Sequence, residues 1–224
     1  MKKKSLIVSL IVSMSLLIVG CNNGKSTSVK NNSKDDNSIS TSANNENNDS
    51  KDSITAYVGN NIFESSLDPI KGAMSYGYSF TNNALTRVNP NSEYEGDLAE
   101  SWSISEDSLI YTFNLKKGIK FQDESDFTAE DVVFTYETVK NNQADNESVD
   151  LTRLKSVEAV DDYTVKFTLS EPYSPFFDSI ALLGIVPSDA YDSKVFDKSP
   201  IGTGPWKVIQ YNTDQQIIVQ AYED

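Results

Sequence analysis

The sequence predicts a mixed α/β (α+β) domain in residues 54–224, built from antiparallel hairpins and a few amphipathic helices. Three observations lead to this prediction. Apolar and polar residues alternate on both sides of short acidic turns, which is the period of half-buried strands. A segment between two such hairpins carries the start signal and the apolar stripe of a helix. The last part of the chain then repeats the hairpin pattern.

The predicted strands form three hairpins and two single strands. In residues 109–115 and 163–169, every second residue is a large apolar or aromatic one, so one face of each strand is expected to be buried. The hairpins pair residues 101–105 with 109–115, residues 157–160 with 163–169 around Asp161 and Asp162, and residues 206–211 with 216–222. Residues 54–58 and 185–187 are predicted as short single strands, and the stretch from Asn60 to Pro69 as a loop.

Three helices are predicted. Thr128 and Asp131 have the spacing of a capping box, and an apolar stripe follows them. Ser174 and Pro175 precede a second helix, because proline suits the first helical position. The apolar sides of these two helices are Val132, Val133, Tyr136 and Val139, and Phe176, Phe177, Ile180 and Leu183. Residues 75–85 are predicted as a third helix, and Asn89 to Asn91 as a turn.

The N-terminus has the pattern of a secretory signal. Three lysines precede an apolar run in residues 6–19, which is too short for a membrane span of about 20 residues. Residues 18–21 resemble the bacterial lipobox, so we expect a signal peptide in residues 1–20 and lipid attachment at Cys21, the single cysteine of the chain. The alternative is an ordinary signal peptide that ends near a cysteine.

A polar segment follows. Of the 32 residues from 22 to 53, nine are Asn and eight are Ser, and such a composition cannot bury enough apolar surface to fold. We therefore expect residues 21–53 to be a lipidated cysteine and a disordered tether, with the folded domain in residues 54–224.

The chain is acidic, with 19 Lys and Arg against 33 Asp and Glu and a net charge of −14. Without the seven lysines and five acids before residue 54, the folded part keeps 12 basic and 28 acidic side chains, a net charge of −16. Phosphate binding needs clustered lysine and arginine, so nucleic acid is not an expected partner.

Catalytic and metal-binding patterns are missing from the sequence. There is no histidine, and neither a G-x-S-x-G nor an S-x-x-K motif occurs, so we expect no enzyme activity, no catalytic residue, no metal site and no cofactor. Asp123 with Asp126, and Asp161 with Asp162, could do acid–base work, but turn residues on a solvated face are the favoured interpretation. The aromatic residues Tyr57, Phe63, Tyr76, Tyr78 and Phe80 could line a ligand cleft or pack in the core.

Residues 202–205 read Gly-Thr-Gly-Pro, which superficially resembles a phosphate-binding loop. No helix follows, and Pro205 removes a backbone donor. We interpret the segment instead as a tight connection in which the backbone passes close to its neighbour.

Four stretches in order resemble extracellular solute-binding proteins of the peptide/nickel ABC-transporter family (family 5 type). They are residues 67–69 with 98–102, residues 105–121 with 127–134, residues 160–165 with 175–177, and residues 200–207. The resemblance implies a type II periplasmic-binding-protein fold, in which two lobes close around a ligand. Family members are longer, so the resemblance covers only their N-terminal portion: the first lobe with its inserted subdomain, and the second lobe missing after Asp224.

This resemblance implies a substrate-binding lipoprotein that captures di- or oligopeptides outside the cell for an ABC importer. Its expected partners are the peptide ligand, the permease subunits and the membrane, and it is expected to be a monomer on the extracellular face of a Gram-positive-like cell membrane. The alternatives are a truncated surface lipoprotein that does not transport, and a member that binds nickel or a metal chelate.

The resemblance also implies candidate ligand-binding residues near the cleft: Asn61, Phe63, Glu64, Tyr76, Leu183 and Gly184. Two departures from the family pattern bear on these. Residues 181–185 lack the arginines of nickel-type members, and the chain has no histidine, which favours a peptide over nickel. The glycine that members usually have near Glu124 or Ser125 is absent, which implies a somewhat different turn there.

Overall fold

The computed structural model describes residues 53–56, 66–72, 79–212 and 216–222. Within these ranges the chain forms a four-stranded sheet, a three-stranded sheet, a two-stranded hairpin, two α-helices and two short 3-10 turns. The strands are β1 (Ser53–Ala56), β2 (Thr86–Val88), β3 (Tyr94–Gly96), β4 (Ala99–Ile104), β5 (Ile110–Leu115), β6 (Leu154–Asp161), β7 (Thr164–Leu169), β8 (Trp206–Asn212) and β9 (Gln216–Ala221), the helices α1 (Ala129–Asn141) and α2 (Phe176–Leu182), and the 3-10 turns Pro69–Lys71 and Gln143–Asp145.

The first two predicted hairpins are confirmed, and they join into one antiparallel sheet of order β4-β5-β7-β6. The central pair aligns Tyr111 with Phe167 and Phe113 with Val165. These four side chains are buried on one face, as the alternating pattern predicts. The opposite face carries the polar residues of both strands, among them Lys166, whose ammonium pairs with Glu158 of β6 at 2.8 Å.

Helix α1 covers the buried face of this sheet, packing mainly against β6. Its predicted start is confirmed: the backbone N–H of Thr128 donates to Asp131 Oδ2 at 2.9 Å. Val132 and Tyr136 are fully buried in the stripe, whereas Val133 is only partly buried. Asp131 is itself buried, and its other oxygen accepts hydrogen bonds from the N–H and the hydroxyl of Ser188 at 2.8 and 2.9 Å.

Helix α2 begins one residue after Pro175, close to the predicted position. Its aromatic side packs on the same core, where the Phe176 ring meets Tyr111 edge-on at 5.3 Å between centroids. Leu183, just beyond the helix, is also buried.

The last predicted hairpin is confirmed as β8 and β9, and β1 adds to it in the order β1-β9-β8. Leu67, Val208 and Ile217 form a small separate core beside this sheet. Phe80 packs against that core, so of the two roles expected for this aromatic residue, core packing and lining a ligand cleft, the structure supports core packing. Tyr57, Phe63, Tyr76 and Tyr78 lie outside the described residues.

The predicted helix in residues 75–85 is wrong for its described part, since residues 79–85 contain no helix. Ser79 and Asn82 explain the difference, because short polar side chains compete with helical hydrogen bonds. Ser79 Oγ accepts the backbone N–H groups of Thr81 and Asn82 at 3.3 and 3.1 Å. Residues 75–78 lie outside the described part of the chain.

The strand predicted at residues 185–187 is also wrong. Instead of joining a ladder, the N–H of Ile185 donates to the carbonyl of Asn83 at 2.9 Å, and that of Val186 donates to the hydroxyl of Thr135 at 3.2 Å. The apolar run is buried because it passes through the core.

Glu124 occupies the turn where the family pattern implies a glycine. Its φ is 71°, in the left-handed region that glycine adopts without strain. The turn is closed by hydrogen bonds between Phe121 and both Glu124 and Ser125, each at 2.9 Å. A non-glycine residue therefore holds a glycine-type backbone conformation here.

No helix among the described residues combines the length and the apolar character needed to cross a membrane.

Candidate functional site

Three chain segments meet at Asn82, which lies in the irregular segment before β2. The side-chain amide of Asn82 donates to the carbonyl of Ile185 at 2.9 Å and to that of Ile201 at 3.0 Å. Asn82 is buried, and its carbonyl oxygen accepts the Thr81 hydroxyl at 2.7 Å. One side chain therefore holds together segments that lie more than a hundred residues apart in sequence.

Glycines make this crossing possible. A Cβ atom on Gly202 would lie 1.9 Å from the carbonyl oxygen of Thr81, and one on Gly204 would lie 2.6 Å from the Thr81 carbonyl carbon. On the third segment, a Cβ on Gly184 would lie 2.8 Å from that of Asn82. The interpretation of residues 202–205 as a close backbone passage is therefore confirmed.

Gln122 fixes the same passage from its other side. Its backbone N–H donates to the carbonyl of Gly202 at 2.9 Å. Its side-chain amide donates to the carbonyls of Gly204 and Trp206 at 3.0 and 2.9 Å. Gln122 thus holds the Gly-Thr-Gly-Pro segment at Gly202 and Gly204, and holds Trp206 just after it.

A cleft of about 460 Å³ opens beside the crossing. Its walls come from the crossing segments, from β2 and its flanks, and from the end of α2. The lining residues are Ser79, Asn82, Asn83, Ala84, Arg87, Asp97, Ala181, Leu182, Thr203, Pro205 and Tyr222. Polar side chains make up more of this lining than apolar ones.

Two charged residues line the described part of the cleft. Arg87 Nε donates to Glu95 at 2.6 Å across the β2–β3 hairpin. Asp97 Oδ1 accepts the side-chain amide of Asn83 at 3.1 Å. Burial raises the pKa of Asp97 above its ordinary value, and the positive charges of Arg87 and Lys116 offset only part of that effect.

The sequence-predicted ligand residues fall in two groups. Leu183 and Gly184 are buried directly after Leu182, which lines the cleft, and their contact with a ligand stays a prediction. Cys21, Asn61, Phe63, Glu64 and Tyr76 lie outside the described residues.

Sequence reasoning missed most of the lining residues. Arg87 lies in the β2–β3 hairpin and Asp97 directly follows it, and the three-residue strands of this hairpin are too short for a visible period. The apolar spacing of residues 75–85 predicts a helix at Asn82. The one usable signal was the pair of glycines in residues 202–205, which predicted close backbone contact without naming its partner.

Asp123 and Asp162 are turn residues, as interpreted from the sequence, whereas Asp126 lies in a β-bridge with Lys120 and Asp161 ends β6. Asp123 Oδ1 accepts the N–H of Ser125 at 3.1 Å, and Asp161 Oδ1 accepts that of Tyr163 at 2.9 Å. Asp126 pairs with Lys120 at 2.8 Å. Among the described residues, no group of three or more His, Cys, Asp or Glu side chains could hold a metal ion.

Comparison with known proteins places this arrangement in a family. Residues 93–224 match the bacterial extracellular solute-binding proteins, family 5, in the middle region of that family. The chain belongs to this family. The four-stranded sheet, Asp97 and the crossing segments around Gly184 and Gly202 lie within the matched residues, and residues 79–83 precede them.

Relatives that are similar in sequence carry names that state different ligands. The chain is 35% identical over 159 residues to heme-binding protein A of Haemophilus influenzae, and 35% identical over 153 residues to the dipeptide-binding protein of Escherichia coli. These alignments cover 59% and 56% of this chain and 29% of each relative.

Solved structures of the family share the fold. NikZ of Campylobacter jejuni in complex with Ni(L-His) superposes with a TM-score of 0.64 at 30% identity, over 70% of this chain and 33% of that one. DppA of Helicobacter pylori, an ABC transporter-associated periplasmic binding protein in complex with the peptide STSA, gives 0.62 at 31%, over 71% of this chain and 37% of that one. The expected type II periplasmic-binding-protein fold is confirmed. The chain spans about a third of the length of these family 5 proteins.

Proposed function

We propose that this chain contributes one wall of the ligand cleft in the substrate-binding protein of an ABC importer, and that the ligand is a di- or oligopeptide. The cleft at the Asn82 crossing is the observation that carries the proposal. It combines the apolar surface of Leu182 and Pro205 with side-chain amide and hydroxyl groups such as those of Asn83 and Thr203, and a peptide needs both kinds of contact. The dipeptide-binding relative and the peptide complex among the solved structures support the same ligand class.

In this proposal, ligand binding shifts the population of the binding protein from an open to a closed conformation. A second wall closes over a peptide that lies against the cleft, and the closed form is presented to permease subunits. The rigid crossing at Asn82 suits this role, because the wall must keep its shape while the other moves. We propose no catalytic step and no cofactor for this chain.

A nickel or other metal chelate is the second candidate, since a family structure holds Ni(L-His). The sequence favours the peptide. Histidine is a common ligand of such metals, and none occurs in the 224 residues. The cleft also has only one carboxylate among its described lining residues.

The ligand class is tested by incubating the full chain with an equimolar mixture of di-, tri- and tetrapeptides and reading retained masses by native mass spectrometry. Nickel–histidine and heme are offered in parallel. We expect peptide-bound species only. Retention of nickel–histidine or heme without any peptide would overturn the peptide proposal, and retention of nothing would support the non-transporting alternative.

We also propose the organisation of the N-terminal part. A signal peptide occupies residues 1–20, lipid is attached to Cys21, and residues 21–53 tether the folded part to the outer face of the cell membrane as a monomer. The basic start, the short apolar run and the small residue before Cys21 support this proposal. Lipid chains contribute about 0.8 kcal/mol for each buried CH₂, so two or more chains anchor a protein firmly.

A further inference from the structure

Strand β4 is a free edge of the four-stranded sheet. In the order β4-β5-β7-β6, β5 pairs with one side of β4, and none of the described strands pairs with the other side. The N–H of Ser105 donates to the carbonyl of Ile110 at 2.9 Å, which sets the phase of the β4–β5 ladder. Every second residue of β4 turns its backbone towards β5, so the N–H and carbonyl groups of Trp102 and Ile104 point away from the sheet.

This edge lacks the features that keep exposed strands from pairing. Residues 101–104 read Ser-Trp-Ser-Ile, without a charge, a proline or a β-bulge. The opposite edge strand, β6, carries Lys155 and two register shifts, and the edge strand β8 carries Lys207 and a register shift between Val208 and Gln210. Lysines and bulges of this kind discourage a further strand from adding. The free edge of β4 is therefore open to such an addition.

An apolar strip borders the free edge. The side chain of Ile104 is 46% exposed, and Trp102 is partly buried and packs against the core. The Trp102 ring lies 5.5 Å from the ring of Phe177, and Tyr94, which is 38% exposed, meets the same ring edge-on at 4.6 Å. Apolar side chains of an added strand would cover this strip, because side chains that face each other across a ladder pack together.

The surroundings of the free edge are acidic. Between Arg87 and Lys116 the sequence holds six Asp and Glu residues and no Lys or Arg. One of the six, Glu95, pairs with Arg87 at 2.6 Å. Glu100 and Glu106, near the two ends of β4, are exposed and form no ion pair with a described lysine or arginine. Two copies of this edge would repel each other, whereas a basic segment would be attracted.

We propose that β4 is a docking edge for an extended segment of a partner protein, in which apolar residues alternate with lysine or arginine. The backbone of this segment pairs with Trp102 and Ile104 as a fifth strand, and its basic side chains lie near Glu100 and Glu106. The contact surface is small, so binding is weak and reversible. Neither Trp102 nor Ile104 lines the cleft at Asn82, so this inference does not rest on peptide capture there.

The test compares three labelled peptides on the full chain by fluorescence anisotropy. The basic probe has three Lys-Val repeats between an acetyl and an amide group. The second has the same sequence with a methyl group on every backbone nitrogen, so it cannot pair with a strand. The third replaces each lysine by glutamate. Hydrogen exchange read by mass spectrometry then locates the bound basic probe on the wild type.

The variant Ile104→Lys places a positive charge on the free edge and removes part of the apolar strip. Its matched control is Ile209→Lys, which changes an isoleucine of β8 that is 55% exposed. We expect the wild type and Ile209→Lys to bind the basic probe at least about tenfold more tightly than the methylated or the acidic probe. Ile104→Lys should lose that preference. Exchange of residues 101–105 should slow when the basic probe binds.

Equal binding of the basic and the methylated probes by the wild type would overturn the inference. Slower exchange confined to the cleft segments 79–84 and 203–205 would also overturn it, because the probe would then occupy the cleft. Both results come from the wild type, so they stand even if Ile104→Lys does not fold. Unchanged binding by a folded Ile104→Lys would overturn it as well. Slower exchange of residues 101–105 on raising the protein concentration alone would assign the edge to a second copy, which contradicts the proposal.

Discussion

Asp68 is a fully buried carboxylate held by hydrogen bonds from two groups. It accepts the N–H of Ile70 at 3.0 Å at the start of a 3-10 turn, and the hydroxyl of Tyr191 at 2.7 Å. The ammonium of Lys71 lies 3.9 Å away. Burial nevertheless dominates and raises the pKa of Asp68 above its ordinary value of 3.8.

A raised pKa means that the folded state binds the proton of Asp68 more tightly than the unfolded state does. The ionised carboxylate therefore lowers the free energy of unfolding above the folded pKa, and this cost disappears as the pH falls below 3.8. A tenfold difference in proton affinity corresponds to about 1.4 kcal/mol. We therefore compare the free energy of unfolding of Asp68→Asn with that of the wild type by urea unfolding at two pH values. We expect the difference, variant minus wild type, to be more positive at pH 7 than at pH 3.5.

Asp107 provides a control of opposite sign. Hydrogen bonds from the hydroxyl of Ser105 and the N–H of Leu109 lower its pKa, so its stabilisation is present above the unfolded pKa and is lost as the pH falls. Asp107→Asn is therefore expected to be relatively less stable at pH 7 than at pH 3.5. Differences from wild type that do not change with pH for Asp68→Asn would contradict the assignment.

At the scale of elements, the crossing of residues 79–83 with residues 201–204 depends on glycines, because a Cβ atom would collide with the neighbouring backbone. Gly202→Ala places a Cβ against the backbone carbonyl of Thr81, and backbone atoms cannot move aside as a flexible side chain can. We expect a loss of about 3 kcal/mol in the free energy of unfolding, measured by urea denaturation.

Gly118→Ala separates this steric effect from backbone strain. Gly118 has a φ of 77°, yet a Cβ there meets nothing within 4 Å. Its replacement is expected to cost about 1 kcal/mol, from strain alone. A Gly202→Ala variant no less stable than Gly118→Ala would show that the crossing can relax.

Elements with regular local patterns could be predicted, and those fixed by distant contacts could not. The strands containing Phe113 and Phe167 alternate strictly, so their positions follow from sequence. Residues 79–85 have apolar residues at helical spacing, but Ser79 and the distant carbonyls of Ile185 and Ile201 take the hydrogen bonds. The cleft was missed for the same reason, since its walls meet only through this crossing.

At the scale of the whole molecule, the proposed lipid anchor makes a separate prediction. Cys21→Ser removes the only thiol that could carry lipid. We expect the variant to leave the membrane fraction and to take up no radiolabelled palmitate, whereas the wild type stays with the membrane and is labelled. Ser26→Ala, in the same polar segment, is the control and should behave as wild type. A variant that remains membrane-bound and labelled would contradict lipid attachment at Cys21.

The pairing of β1 with β9 has a consequence for the order of folding. Ser53 lies opposite Gln220, so this sheet joins the beginning of the described chain to its end. The four-stranded sheet pairs segments that are much closer together in sequence. Because long loops close at a larger entropic cost, the four-stranded sheet is expected to form early and the three-stranded sheet last. A growing chain therefore carries β1 without its partner until synthesis has passed residue 220, and through that interval β1 is an unpaired strand open to association with other chains.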